Sequence, residues 1–140
     1  MREILFRGKR TDNREWVEGF LFRYNGAFCI QLEEIGCDDY GLYPRCYAEV
    51  IPESISEFIS LTDKNGKNIF EGDILSYEYG DWKNQGFVYY YDRGAKFGIK
   101  QNDGYGNLSL LHDTQVKAWN VTVIGNIHDN PELLKGENEA

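Results

Sequence analysis

Proline is scarce in this sequence, and so are cysteine, histidine and methionine: three Pro, three Cys, two His and one Met among 140 residues. Cys29, Cys37 and Cys46 are odd in number and none has CxxC spacing. That argues against a disulfide framework and, with only two His, against a tetrahedral zinc site. Free thiols of this kind suit a reducing cytoplasm. No run approaches ~18 apolar residues, so no membrane-spanning helix is expected. The opening Met1-Arg2-Glu3-Ile4-Leu5-Phe6-Arg7 has too short an apolar core for a signal peptide. A soluble protein of the cytoplasm is the expectation. Basic charge is short as well: 15 Lys and Arg face 23 Asp and Glu, a net −8. Cations drive non-specific binding to phosphate backbones, so an acidic chain starts at a disadvantage there. The charge is uneven. Residues 1–24 hold six basic and four acidic side chains, a local +2 that leaves −10 for the rest. A solvated strand face is the expected reading of that basic excess.

Aromatic residues and glycine are abundant instead: ten Tyr, eight Phe, three Trp and fifteen Gly. Together they favour short strands joined by tight turns. The length suits one domain, or two very small ones, and is enough to bury a core. No repeat and no low-complexity block is present. No amphipathic run is long enough for a major helix.

Residues 3–7 begin as a short strand. Trp16, Glu18, Phe20 and Phe22 then alternate with Val17, Gly19, Leu21 and Arg23. This period of two puts the bulky aromatics on one face, which is expected to be the buried one. Asn25-Gly26 follows, before the apolar run 27–32. Asn-Gly between two β-prone runs predicts a hairpin, because a type I′ turn needs positive φ at both central residues. The acidic, Gly-containing stretch 33–43 reads as a loop or flap, and 45–51 as a strand stopped by Pro52. Pro52-Glu53-Ser54 marks an internal boundary. It divides an N-terminal β region, 1–53, from a second part, 54–134, with a polar, disordered tail at 135–140. Further strands are expected at 57–61, 73–79, 86–91, 96–100, 108–111 and 121–127. Short strands at this spacing suggest a sandwich or small barrel. Asn130 and Pro131 suit the cap and first position of one helical turn over 131–134.

Three blocks of residues resemble a known family. Asp63-Lys64-Asn65-Gly66-Lys67-Asn68-Ile69-Phe70-Glu71-Gly72-Asp73-Ile74-Leu75 is similar to the pattern DKNGKxIYEGDIV of the YopX family of phage and prophage proteins. The opening seven residues match its usual start, MREIKFR. Val123-Ile124-Gly125-Asn126-Ile127 and Asn130-Pro131-Glu132-Leu133-Leu134 match its close, VIGNIxxNPELL. Phe70 stands where Tyr is common, and Phe58-Ile59-Ser60-Leu61-Thr62 replaces a lead-in that carries a Gly. Residues 8–57 match loosely. The resemblance implies a phage origin and an SH3-type barrel in the C-terminal part. It implies no activity. The signature also has a structural reading. Gly66 and Gly72 permit positive φ, and Asp73 can bond the amides of its own turn. Ile69, Ile74 and Ile124 are core candidates, and Gly125-Asn126 suggests a bulge or a close backbone approach.

No motif carries catalysis. Glu71 and Asp73 share a face at i, i+2, but no cation splits their titrations, and a turn accounts for both. His112-Asp113 and His128-Asp129 could hold a divalent ion only if the fold joined them. Cys46 lacks a recognisable His partner. Gly104-Tyr105-Gly106 lacks the Lys-Ser/Thr and following helix of a phosphate loop. The expectation is a non-enzymatic protein without cofactor or metal. The candidate binding residues are the aromatics Tyr77, Tyr79, Trp82, Tyr89 and Tyr91, of which one alternating set should be core and the other exposed. The expected role is a phage-encoded interaction protein that binds a host or phage protein and forms a homo-oligomer. The alternative is a nucleic-acid-binding module.

Overall fold

The computed structural model describes residues 2–32, 36–38, 41–43, 47–101, 107–108 and 113–134. Among them the chain is mainly β, with thirteen strands, one six-residue α-helix and three short 3₁₀ turns. It divides into two compact units, with the boundary between Phe58 and Ile59.

The first unit is built on a hairpin. Strand β2 (Trp16–Tyr24) turns at Asn25-Gly26 into β3 (Ala27–Gln31), with Tyr24 opposite Ala27. Asn25 has φ 50 and Gly26 φ 82, the double positive φ that a type I′ turn demands. Strand β1 (Phe6–Lys9) lies antiparallel along the other side of β2. The stretch expected as a flap contains a small hairpin, β4 (Gly36–Asp38) with β5 (Gly41–Tyr43). Strand β6 (Tyr47–Glu49) then joins β3. The sheet curls back on itself at a single bridge between Arg10 and Val50. There Ile51 N–H donates to Lys9 O at 2.8 Å and Thr11 N–H to Glu49 O at 3.0 Å. Gly8 faces Val50 so closely that a Cβ on Gly8 would lie 2.9 Å from Val50 Cβ.

That curl corrects one expectation. The buried face of the hairpin is the one carrying Ile30, Ala48 and Val50, not the aromatic one. The inside of so tight a curl holds small and β-branched residues. The alternation was read correctly, but Phe20 is 65% exposed and Trp16 and Phe22 are half-buried.

Strand β7 (Ser56–Thr62) begins beside β1, with Phe6 opposite Glu57, and its continuation pairs with β8 (Asn68–Phe70). The second unit is dominated by β9 (Asp73–Tyr79), β10 (Trp82–Tyr91) and β11 (Lys96–Gln101). Strand β12 (Asn107–Leu108), helix α1 (Asp113–Ala118) and β13 (Thr122–Asn126) follow, then a 3₁₀ turn over Pro131–Leu134. Helix α1 was not expected from the sequence. The sheet order is β12-β11-β10-β9-β13. Among the described residues its end strands do not pair with each other, so the closed five-stranded barrel expected over 54–134 is not found; the sheet is open.

Its core is formed by Ile59, Ile69, Leu75, Tyr77, Val88, Ile99, Val116 and Val121. Burial of each large apolar side chain contributes roughly 1.5–3 kcal/mol. Ile69 and Ile74 are fully buried, but Ile124 is 37% exposed. The register of β13 against β9 slips between Val123 and Gly125. This bulge turns Val123 toward the core and Ile124 outward, reversing the expected alternation.

Candidate functional site

The signature residues of the second unit form a connected turn assembly. Asp63 follows β7 and is 5% exposed. Its Oδ1 accepts N–H bonds from Asn65 at 2.8 Å and Lys67 at 3.0 Å. Its Oδ2 accepts the N–H of Val123 on β13 at 3.0 Å. Lys64 N–H donates to Val121 O at 2.9 Å. Burial alone would raise the carboxyl's pKa. The amides of Val123, Lys67 and Asn65 and the charge of Lys67 outweigh it and hold Asp63 below the ordinary 3.8. Hydrogen bonds to the charged form have this effect.

The second turn works in the same way. Gly72 has φ 86, as expected of the residue that turns the chain into β9. Its N–H donates to Val88 O at 2.8 Å and its carbonyl accepts from Ile127 N–H at 2.9 Å. Asp73, 1% exposed, accepts the Phe70 N–H on Oδ2 at 2.8 Å. Gly125 is the close approach foreseen in the last strand: a Cβ there would lie 2.5 Å from Asn130 Oδ1. Asn130, just before the 131–134 turn, also reaches back with its side chain. Its Oδ1 accepts the Asn126 N–H at 3.2 Å. Asn126 Oδ1 in turn accepts from the amides of His128 and Asp129. The shared residues thus bond backbone to backbone across the unit.

The five aromatic candidates do not form one surface. Tyr77 is interior: it is 1% exposed, stacks on Trp119 at 5.9 Å and receives a bond from Gln101 Nε2 on its hydroxyl. It packs the core and cannot offer a ring face to a ligand. Trp82 stands opposite Tyr79 at the start of β10 and is 74% exposed. Tyr89 and Tyr91 project from the other face of β10, where they continue an edge-to-face ladder from Phe87 with 6.5 Å between successive centroids. Phe87 was missed, although it stands two residues before Tyr89, where strand alternation places it on the same face. Lys96 and Lys100 on β11 lie opposite Tyr91 and Phe87. Lys96 Nζ sits 5.7 Å over the Tyr91 ring.

Further aromatics project from the first unit. Phe20, Tyr24 and Tyr47 are all exposed. Tyr47 on β6 touches both Phe22 and Tyr24 edge-on, at 5.8 Å each. Arg7 and Lys9 lie over the Trp16 ring, at 4.8 and 5.6 Å. Cys29 is buried among these strands, and desolvation, then the charge of Glu49, pushes its thiol pKa up.

Among the described residues no three His, Cys, Asp or Glu side chains are grouped as a metal ion would need. His112, Cys46 and Gly104-Tyr105-Gly106 lie outside the described residues. Among the described residues no helix is long and apolar enough to cross a membrane.

The interlocked turns of residues 63–73 and 121–130 join the second and third of the three sequence blocks, and a family model described as YopX protein matches residues 5–135. The chain belongs to the YopX family. Its fold is similar to the crystal structure of protein EF1440 from Enterococcus faecalis, with TM-score 0.68 and 27% sequence identity. That likeness covers 96% of this chain and 100% of the other. No curated protein matches the chain. Family membership therefore accounts for the turn assembly and assigns no chemistry to it.

Proposed function

We propose that this YopX-family protein is a phage- or prophage-encoded interaction protein without enzymatic activity. It acts in the cytoplasm of the bacterial host and binds a host or phage protein through its second unit. The observation that carries this reading is Trp82, 74% exposed at the β9–β10 turn. An indole held open to solvent at the end of a β-hairpin is a residue type enriched among the anchors of protein interfaces. The buried carboxylates support the non-enzymatic part. Asp63 and Asp73 are engaged with backbone amides of their own turns, which leaves these oxygens holding turns rather than facing a substrate. An SH3-like arrangement of the second unit is part of the proposal and rests on its five antiparallel strands and on the family resemblance.

The test is affinity capture from host lysate, comparing wild type with Trp82→Ser. A partner held by wild type and lost by the variant, at unchanged circular dichroism, is the expected result. Equal capture by both would overturn the assignment to Trp82. A second reading, single-stranded nucleic acid on the outer face of β10 and β11, is favoured by Lys96 and Lys100 beside the Phe87–Tyr89–Tyr91 ladder. Aromatic rings flanked by cations suit stacked bases. Strong gel-shift binding that weakens steeply with salt would replace the protein partner by this one.

A further inference from the structure

We infer that Asn25, at the tip of the β2–β3 hairpin, is a site of spontaneous deamidation in the folded protein, and that Asn65 is protected from it. The chain has two Asn-Gly pairs, Asn25-Gly26 and Asn65-Gly66. Such a pair is open to this reaction because Gly has no Cβ to shield its nitrogen. The Gly N–H gives up its proton, and the nitrogen attacks Cγ of the preceding Asn. A C–N bond forms, the Cγ–Nδ2 bond breaks, and Nδ2 leaves as ammonia with a proton taken from solvent. Water then opens the five-membered succinimide at either carbonyl. One opening gives Asp. The other gives isoaspartate, in which the backbone runs through the former side chain.

Space does not separate the two sites. Both Asn residues are exposed, and a Cβ on Gly26 or Gly66 would meet no atom within 4 Å. Bonding does separate them. Gly66 N–H, the nucleophile at the second site, donates to Asp63 O at 3.0 Å. Asn65 N–H and Lys67 N–H donate to Asp63 Oδ1 at 2.8 and 3.0 Å. Asp63 N–H donates to Lys67 O at 2.8 Å. At the first site, among the described residues, neither the Asn25 side chain nor the Gly26 N–H has a hydrogen-bond partner. Ring closure requires the Asn backbone to rotate, so the rate follows how readily each turn opens. A hairpin tip closed by the pairing of Tyr24 with Ala27 opens locally at little cost, whereas the 63–67 turn must give up bonds that all involve Asp63.

The two products differ in what they do to the fold. Asp at position 25 keeps the hairpin, because Asp-Gly suits the same type I′ turn as Asn-Gly. Isoaspartate adds a carbon to the backbone of a two-residue loop, and the register that sets Tyr24 opposite Ala27 cannot hold around it. Both products add negative charge to a chain already at −8.

The test is to incubate the full chain at mildly alkaline pH, folded and in urea, and to follow each site by peptide mass mapping. The ratio of the urea rate to the folded rate should be at least about tenfold larger for Asn65 than for Asn25. Isoaspartate, counted by enzymatic methyl labelling, should accumulate in the folded chain. Asn25→Gly should remove most of that signal at unchanged circular dichroism, since Gly-Gly also suits the turn. Equal ratios, or a larger ratio for Asn25, would overturn the inference. So would a folded chain in which Asn25 stays intact, or an isoaspartate signal that Asn25→Gly leaves unchanged.

Discussion

Asp63 and Val123, sixty residues apart in sequence, are joined by a 3.0 Å bond from the Val123 N–H to Asp63 Oδ2. Asp63 belongs to the first long signature block and Val123 to the last. One carboxylate therefore shapes its own turn with Oδ1 and fastens the final strand with Oδ2. Asp63→Ala should destabilise the protein by about 3 kcal/mol or more, since three bonds to a charged acceptor are lost and their donors remain. Asp63→Asn should cost less, because its single carbonyl oxygen can still serve Asn65 and Lys67. Denaturant titration of the two variants orders them, and equal stabilities would contradict this division of labour.

The same group gives the protein an acid limit. Asp63 titrates below 3.8 in the folded chain, so its contribution is full above the unfolded value. It is lost as pH falls below about 3.8 through the lower folded value. Wild type should therefore lose stability on acidification more steeply than Asp63→Asn in that window. Unfolding midpoints from pH 6 to 2 measure it. Parallel profiles would show that other carboxylates set the acid limit.

Gly72 and Gly125 are required for different reasons. At Gly72 a Cβ would meet Ile127 at an ordinary 3.4 Å, but φ is 86. Gly72→Val should cost at least about 1–2 kcal/mol through backbone strain, and Gly72→Asn less, because Asn enters that region more readily. Glu71→Ala, beside it, should cost much less than Gly72→Val. A Gly72→Val melting curve that overlays wild type would remove this account.

At Gly125 the obstacle is a side chain. Gly125→Ala should cost about 1–3 kcal/mol by crowding Asn130. Asn130→Gly in the same chain should recover part of that loss. A double mutant whose cost equals the sum of the singles would show that the two residues do not compete for the space.

Trp82 and Tyr77 lie near the same hairpin and should respond in opposite ways. Trp82→Ser should shift stability by no more than ~0.5 kcal/mol, as surface changes do. Tyr77→Ala should cost about 3–5 kcal/mol. Tyr77→Phe, which removes the hydroxyl that accepts from Gln101, should cost roughly 1 kcal/mol. Thermal melts of the three variants check the order.

Local backbone demands were the legible part of this sequence. Asn25-Gly26, Gly72 and Gly125 each did what their residue types required, and the expected strand 73–79 coincides with β9. The choice between two faces was not legible. Alternation sorted Phe20 from Leu21 and Tyr89 from Tyr90, but which side is inside depends on how far the sheet curls. The bulge at Val123 to Gly125 moved Ile124 outward for a similar reason: one extra residue inverts the period of two. Helix α1 was hidden by its length. Six residues with Val116 as their buried anchor are too few for a 3.6-residue period to emerge. In the candidate site, Tyr77 was misplaced because an aromatic at the centre of a strand gives the same pattern whether it packs or projects.

The position of β13 also orders events in time. Val123 on it and the flanking Val121 and Ile127 complete the bonds of Lys64, Asp63 and Gly72, residues synthesised some fifty to sixty positions earlier. While the chain emerges from the ribosome, β9, β10 and β11 can pair with their neighbours in sequence. The bonds that tie the turns at 63–66 and 71–72 to residues 121–127 must wait for that segment. Closing so long a loop is entropically slow. A nascent chain truncated before residue 121 should hold its hairpins yet leave those turns more open to exchange and to protease, and synthesis of residues 121–127 supplies the bonds that fasten them.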